Sequence, residues 1–227
     1  MPPAALERVT DRVYRIRDRF VNLYVVDAGR VVLVDTGTKA AGPRIREGFR
    51  ELGKEVADIA YVLLTHHHVD HVGTAGVWKL EAGADLAIHQ DDAKVLAGEE
   101  RRRGTGVGVR GKVTAFVAGL LSRAMAVSPV RADRVLLGRG TVELLGLDFE
   151  AIPARGHTLG SCAFLLASEG VLFAGDAVNA RGGRSAPPWS VEDAPAAAET
   201  YRAIMAMTPA VVCCGHGDPV RRPPQSP

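Results

Sequence analysis

Residues 61–74 read YVLLTHHHVDHVGT, and four of the chain's seven histidines fall within the six positions 66–71. The run before them, Ala60 to Leu64, is short and apolar, as a buried strand would be. Packing gives no reason to end a strand in so many imidazoles; coordination does. In an extended loop alternate side chains point the same way, so His66 and His68 can grip one ion while His67 points elsewhere. Asp70 and His71 follow the turn. They are expected at the start of a helix that holds Val72, Val77 and Leu80, facing a second ion close to the first. Imidazole nitrogen and carboxylate oxygen suit zinc, and also iron, manganese or cobalt.

Three further polar residues stand at comparable places. His157 follows EAIPARG, Asp176 follows VLFAG and His216 follows VVCCG. Each segment reads as a buried strand whose end delivers an imidazole or carboxylate into a loop. If those strands share sheets with their ends at one edge, the loops meet in a cleft, a usual place for a site. His67 and His89 share neither the alternation nor the strand-end setting and are read as structural.

Around these motifs the chain alternates strand and helix. RVYRIR is a strand, and VNLYVVDAGRVVLVDTG reads as two strands joined at Ala28-Gly29. Val31 to Val34 is continuously apolar, as in a strand buried on both faces. Thr38 to Leu52 is a helix with Ile45, Phe49 and Leu52 on one side and Gly53 as its C-cap. Later strands are expected in RVLLGRGTVELLGLDFEAI, CAFLLA, GVLFAG and VVCC. A helix from about Val191 to Met207 begins at Ser190, with Asp193 at capping-box spacing, and presents Ala197, Tyr201, Ile204 and Met205 on one face. Residues 98–112 are glycine-rich, charged and aperiodic, an exposed loop. Residues 113–125 repeat apolar side chains at helical spacing with a small, uncharged opposite face. They read as a helix packed on the core, or as a lid or homodimer contact. Arg101, Arg102 and Arg103 read first as a solvated charge run, with attraction of an anionic tail as the alternative.

The 227 residues suffice for one domain with a substantial core. With 47% hydrophobic and 24% charged residues the chain has the composition of a soluble globular protein. A formal charge of +2 leaves no footprint for nucleic acid or an anionic membrane surface. No apolar run approaches the roughly 20 residues that cross a bilayer. The N-terminus lacks the order of a signal peptide. The three cysteines make a disulfide framework an unexpected feature. A small-molecule substrate and a cytoplasmic address are the expectation.

Taken in order, VDTG (34–37), THHHVDH (65–71), GHTLGS (156–161), the Gly-Asp of FAGDA (173–177) and GHGDP (215–219) resemble the metallo-β-lactamase fold superfamily. The resemblance covers essentially the whole chain. It implies an α/β fold, a four-layer αββα sandwich over residues 1–227, with 91–130 as a lid or interface insertion. Two divalent ions are implied at one sheet edge, zinc first, with iron or manganese as alternatives. One would be held by His66, His68 and His157, the other by Asp70, His71 and His216, with Asp176 bridging them. Asp35 would orient a ligand from behind. Two such ions share a bridging hydroxide that attacks a carbonyl or phosphorus, and Asp70 passes on its proton.

Within the superfamily, Asp176 fills the position where true β-lactamases generally carry Cys or Ser, which favours the glyoxalase II-like and lactonase-like branches. Diiron redox members usually have Glu where His68 stands. The chain ends eleven residues after His216, without the C-terminal helical domain that helps glyoxalase II bind glutathione. Lactonases often place a tyrosine shortly after the bridging Asp, where this chain runs Asp176-Ala177-Val178-Asn179. The expectation is a dinuclear metallohydrolase that cleaves an ester-like bond, a thioester or a lactone. The alternatives are a mononuclear iron dioxygenase acting on a sulfur substrate, a β-lactamase and a non-catalytic metal-binding module.

Overall fold

The structure, a computed structural model, describes residues 5–102, 104–106 and 127–222. Its first part contains strands β1 (Leu6–Arg8), β2 (Val13–Asp18), β3 (Val21–Ala28), β4 (Arg30–Val34), β5 (Ile59–Leu63) and β6 (Asp85–His89). Helices α1 (Gly42–Glu51), α2 (Ala75–Ala82) and α3 (Gln90–Leu96) lie among them. After the short β7 (Thr105–Gly106), strand β8 (Arg134–Leu136) completes a seven-stranded sheet in the order β1-β2-β3-β4-β5-β6-β8. Pairing is antiparallel from β1 to β4 and parallel from β4 to β8.

The second part supplies β9 (Gly140–Leu144), β10 (Leu147–Pro153), β11 (Cys162–Leu166), β12 (Val171–Gly175), the hairpin β13 (Asn179–Arg181) and β14 (Arg184–Ala186), and β15 (Ser190–Val191). Helix α4 (Ala194–Ala206) and strands β16 (Val211–Cys214) and β17 (Val220–Arg221) follow. A six-stranded sheet runs β17-β16-β12-β11-β10-β9, and β15 pairs with β7 outside it.

Alternation along the strands makes the layers. Val32 and Val34 face inward and meet Phe149, Phe164 and Phe173 of the second sheet. Val31 and Leu33, one residue out of phase, pack outward with Ile45 and Phe49 of α1 and Trp78 of α2. On the far side Leu172, Ala174 and Val212 pack with Ile204 of α4. The result is the expected αββα sandwich. Main-chain bonds also join the two sheets at one edge: Asn22 N–H donates to the Gly215 carbonyl at 2.7 Å, and Cys162 N–H to that of Thr65 at 2.8 Å.

Several boundaries differ from expectation. Helix α1 starts at Gly42, with Pro43 in its first turn, because Thr38 is held in the preceding loop. The Thr38 N–H and hydroxyl both donate to Asp18 Oδ2, at 2.9 and 2.7 Å. Gly53 lies one residue beyond the C-cap Leu52 at φ +69°, and Lys54 N–H reaches back to the Phe49 carbonyl, closing a Schellman turn. Helix α4 is capped by Asp193, whose carboxylate accepts from Ala196 N–H at 3.1 Å, so Ser190 is not its cap. Asp70 and His71 lie in the turn before α2, which begins only at Ala75. Within α2, Ala75 and Trp78 are buried while Val77 and Leu80 are exposed. The expected 113–125 helix lies outside the described residues. Among those described, no helix is long and apolar enough to cross a membrane.

Candidate metal centre

Strands β4, β5, β10, β12 and β16 deliver Asp35, His66, His157, Asp176 and His216 beyond their C-terminal ends. β4 and β5 are parallel, as are β12 and β16, and β10 runs with β12 because two antiparallel steps separate them. All five loops therefore open at one edge, where the sheets are joined.

The seven candidate ligands converge there. His66, His68 and His157 bring one donor atom each within 4.8 Å of one another. So do Asp70, His71 and His216, and so do His66, His71 and Asp176. Asp176 reaches toward both triads: its Oδ2 lies 3.4 Å from His157 Nε2 and 3.1 Å from His216 Nε2, and its Oδ1 lies 3.3 Å from His71 Nε2. Asp70 Oδ2 is 3.5 Å from His216 Nε2. No Cβ could stand at Gly215, since it would lie 2.1 Å from Asp176 Oδ1.

The far nitrogen of four imidazoles is tied to protein. His71 Nδ1 lies 2.8 Å from Asp35 Oδ2, His157 Nδ1 2.7 Å from the Ser190 carbonyl and His216 Nδ1 2.8 Å from the Phe20 carbonyl. His66 Nδ1 lies 3.0 Å from the Thr65 hydroxyl, which itself donates to Asp35 Oδ2 at 2.8 Å. Each contact fixes the proton on Nδ1 and leaves Nε2 facing the cluster, the support that metal-ligating histidines have. His68 instead turns Nδ1 inward, 2.9 Å from His157 Nε2. Asp35 also accepts from Thr65 N–H at 2.8 Å, so one buried carboxylate steadies a histidine of each triad.

The donor atoms fit a pair of cations. His66 Nε2, His71 Nε2 and Asp176 Oδ1 are buried without a hydrogen-bond partner among the described residues. Such orphaned groups are rare and call for an explanation; a nitrogen- and oxygen-binding metal supplies one. Burial, reinforced by the neighbouring imidazoles, holds His66 and His68 well below the usual histidine range. Burial also lowers His157, against the pull of Asp176. At His216 burial is outweighed by the carboxylate of Asp176, which pushes the imidazole up to about 9. At His71 burial is likewise outweighed, by Asp176, Asp35 and Asp70, and the imidazole is raised. Burial would raise Asp176, but the imidazoles of His216, His71 and His157 prevail and hold it well below the usual carboxylate range.

His67, His89 and Arg102 are bonded within the protein. His67 donates its N–H to Asp92 Oδ2 at 3.0 Å, and His89 caps α3 by accepting from Asp91 N–H. Arg102 is neither a solvated charge nor free for an anionic tail. Its side chain is 13% exposed, with Nη2 2.8 Å from Asp92 Oδ1 and Nη1 2.9 Å from Glu192 Oε2. This pairing escaped the sequence reading because the partners are separated from Arg102 in the chain and arginine runs are usually solvated.

Comparisons agree with the geometry. The family model described as the metallo-beta-lactamase superfamily matches residues 16–216. The chain is 27% identical over 215 residues to the uncharacterized protein YobT of Bacillus subtilis (strain 168), covering 89% of this chain and 85% of that protein. It is 29% identical over 203 residues to a hydroxyacylglutathione hydrolase of Xanthomonas campestris pv. campestris (strain B100), covering 88% of this chain but only 61% of that enzyme. Thioesterase pkgB of Emericella nidulans is 28% identical over 211 residues, 90% of this chain and 48% of that protein. A metallo-beta-lactamase family protein from Thermus thermophilus superposes with a TM-score of 0.70 at 24% identity, over 94% of this chain and 76% of that one. With a fold shared along nearly its full length and a family match that runs from β2 to His216, the chain belongs to the metallo-beta-lactamase superfamily.

Proposed function

We propose that the protein is a dinuclear metallohydrolase that cleaves a thioester or a lactone. The observation that carries the reading is the set of buried, partnerless donors, His66 Nε2, His71 Nε2 and Asp176 Oδ1, at the point where two ligand triads meet. His66, His68 and His157 would hold one ion, Asp70, His71 and His216 the other, and Asp176 both. Zinc is the first choice for these donors. Two dications so placed would supply a water of lowered pKa and an electrophile for a carbonyl oxygen.

The protein's own groups supply the rest. Asp70 is 20% exposed at the rim, so its carboxylate can take a proton from the attacking water and return it to the leaving group. Asp35 and the Ser190 and Phe20 carbonyls keep the imidazoles in the tautomer that faces the centre. Phe20, 55% exposed, stacks on His216, and Trp189, 48% exposed, precedes Ser190. Phe20 thus puts an exposed apolar ring beside His216, which would suit an acyl group. The names of the hydroxyacylglutathione hydrolase and thioesterase relatives favour a thioester within this class. Three buried, unpaired thiols, Cys162, Cys213 and Cys214, accord with a cytoplasmic address.

Metal analysis joined to a panel of activated thioesters, lactones, esters and phosphodiesters tests the proposal. Two zinc ions per chain with thioester or lactone turnover is the expected result. One iron with oxygen consumption would replace it with a sulfur-substrate oxygenase, and retained metal without turnover with a binding module. Asp70→Asn is expected to lower turnover about 10²-fold or more; an unchanged rate would remove Asp70 from the mechanism.

A further inference from the structure

Outside the ligand triads, the most heavily tied charged cluster near the centre is built on Arg102. Its guanidinium bonds Asp92 Oδ1 and Glu192 Oε2, and it donates to the Asp91 carbonyl. The two carboxylates spread the contact further. Asp92, fully buried, accepts from His67 N–H at 3.0 Å, from the Thr158 hydroxyl at 2.7 Å and from Gly160 N–H at 3.0 Å. Its approach to Gly160 leaves no room for a side chain, since a Cβ there would lie 2.5 Å from Asp92 Oδ1. Glu192 accepts from Leu159 N–H at 2.7 Å, and its own N–H donates to the Gly156 and His157 carbonyls at 2.9 and 3.1 Å. Three residues on, β7 pairs with β15, placing Gly106 opposite Ser190, whose carbonyl holds His157 Nδ1.

The cluster thus grips the histidine loop between two ligands and the 156–161 loop around a third. The imidazoles of the other triad are held by groups outside the cluster, His71 by Asp35, which also supports His66 through Thr65, and His216 by the Phe20 carbonyl. The two triads meet at the backbone, where His71 N–H donates to the His68 carbonyl at 2.8 Å. We infer that Arg102, with Asp92 and Glu192, is a positioning clamp for the His66–His68–His157 ion and leaves the Asp70–His71–His216 ion untouched. The inference rests on the dinuclear reading proposed above. A planar guanidinium suits the task, because it can bond two carboxylates and a carbonyl at once where an ammonium offers only a point charge.

The test is titration of cobalt(II) into chelator-stripped full-length protein, followed by the visible absorption of each bound ion. His157→Ala and His216→Ala identify which bands belong to which triad. Arg102→Met should weaken the ion assigned by His157→Ala about ten-fold or more and leave the other at parental affinity. Arg102→Lys should recover only part of the loss. Should Arg102→Met fail to fold, Glu192→Gln is expected to give the same split. Parental affinity at both ions, or equal weakening of both, would overturn the clamp. A parent chain that binds a single ion would instead overturn the dinuclear reading. The clamp then stands if that ion is the one lost in His157→Ala and Arg102→Met weakens it, and falls otherwise.

Discussion

A carboxylate at φ +61° sits where most side chains are strained, and Asp35 is held there by three hydrogen bonds to Thr65 and His71. Through them it fixes His71 directly and His66 through a hydroxyl. Asp35→Asn tolerates the backbone angle but gives up the charge and one acceptor. It is expected to weaken metal binding about 10–100-fold, measured by competition with a chromophoric chelator. Of the seven candidate ligands, His66, His68, Asp70 and His71 were legible as a cluster following the apolar run 60–64, and Asp176 and His216 as residues just after apolar runs, while His157 follows the mixed segment EAIPARG. Arg102 was not legible. Only the fold brings Asp92 and Glu192 to it, and a three-arginine run carries no local sign that its middle member is nearly buried.

At the scale of an element, boundaries were the weak point, and each has a physical cause. For α4 the cap was expected at Ser190 with Asp193 as its box partner, but the Ser190 backbone is engaged in β15 and by His157, and Asp193 is the cap. Asp193→Ala should therefore destabilise the protein by about 1 kcal/mol in urea unfolding, whereas Ser190→Ala should leave α4 as stable as before. For α2 the helix was expected to include Val72, but Val72 to Thr74 belong to the turn before it. Gly73 is pressed onto the Thr38–Lys39 backbone, where a Cβ would meet Thr38 C at 2.2 Å. The buried side chain is consequently Trp78 and the solvent takes Leu80. Trp78→Ala is expected to cost about 3–5 kcal/mol and Leu80→Ala less than about 0.5 kcal/mol, read from the same unfolding curves.

Over the whole molecule, the resemblance to the metallo-β-lactamase superfamily implied two sheets between helices, and the β-then-α order of each half agreed with it, since an apolar strand run must be covered on both faces. How the sheets meet was not readable, since it depends on contacts such as Tyr24 with Phe173 that join distant segments. Acid is expected to find the Arg102 cluster. Burial pushes the Asp92 carboxyl up, but hydrogen bonds from His67 and Thr158 and the charge of Arg102 outweigh it and hold it well below the usual carboxylate range. A carboxylate depressed in the folded state gives stability that is complete above its unfolded pKa of about 3.9 and is lost as pH falls toward the folded value. In chelator, the stability difference between parent and Asp92→Asn should hold steady from pH 7 to 5 and shrink below about pH 4, as followed by urea unfolding.

The short connection at 137–139, with Leu137 exposed, is where the backbone passes from one sheet to the other. Cutting it would leave two fragments, each with only some of the candidate ligands, still fastened through Asn22 to Gly215 and Thr65 to Cys162. The protein is in this sense a non-covalent heterodimer written as one polypeptide, and neither fragment alone can assemble a complete triad around His157 or His216.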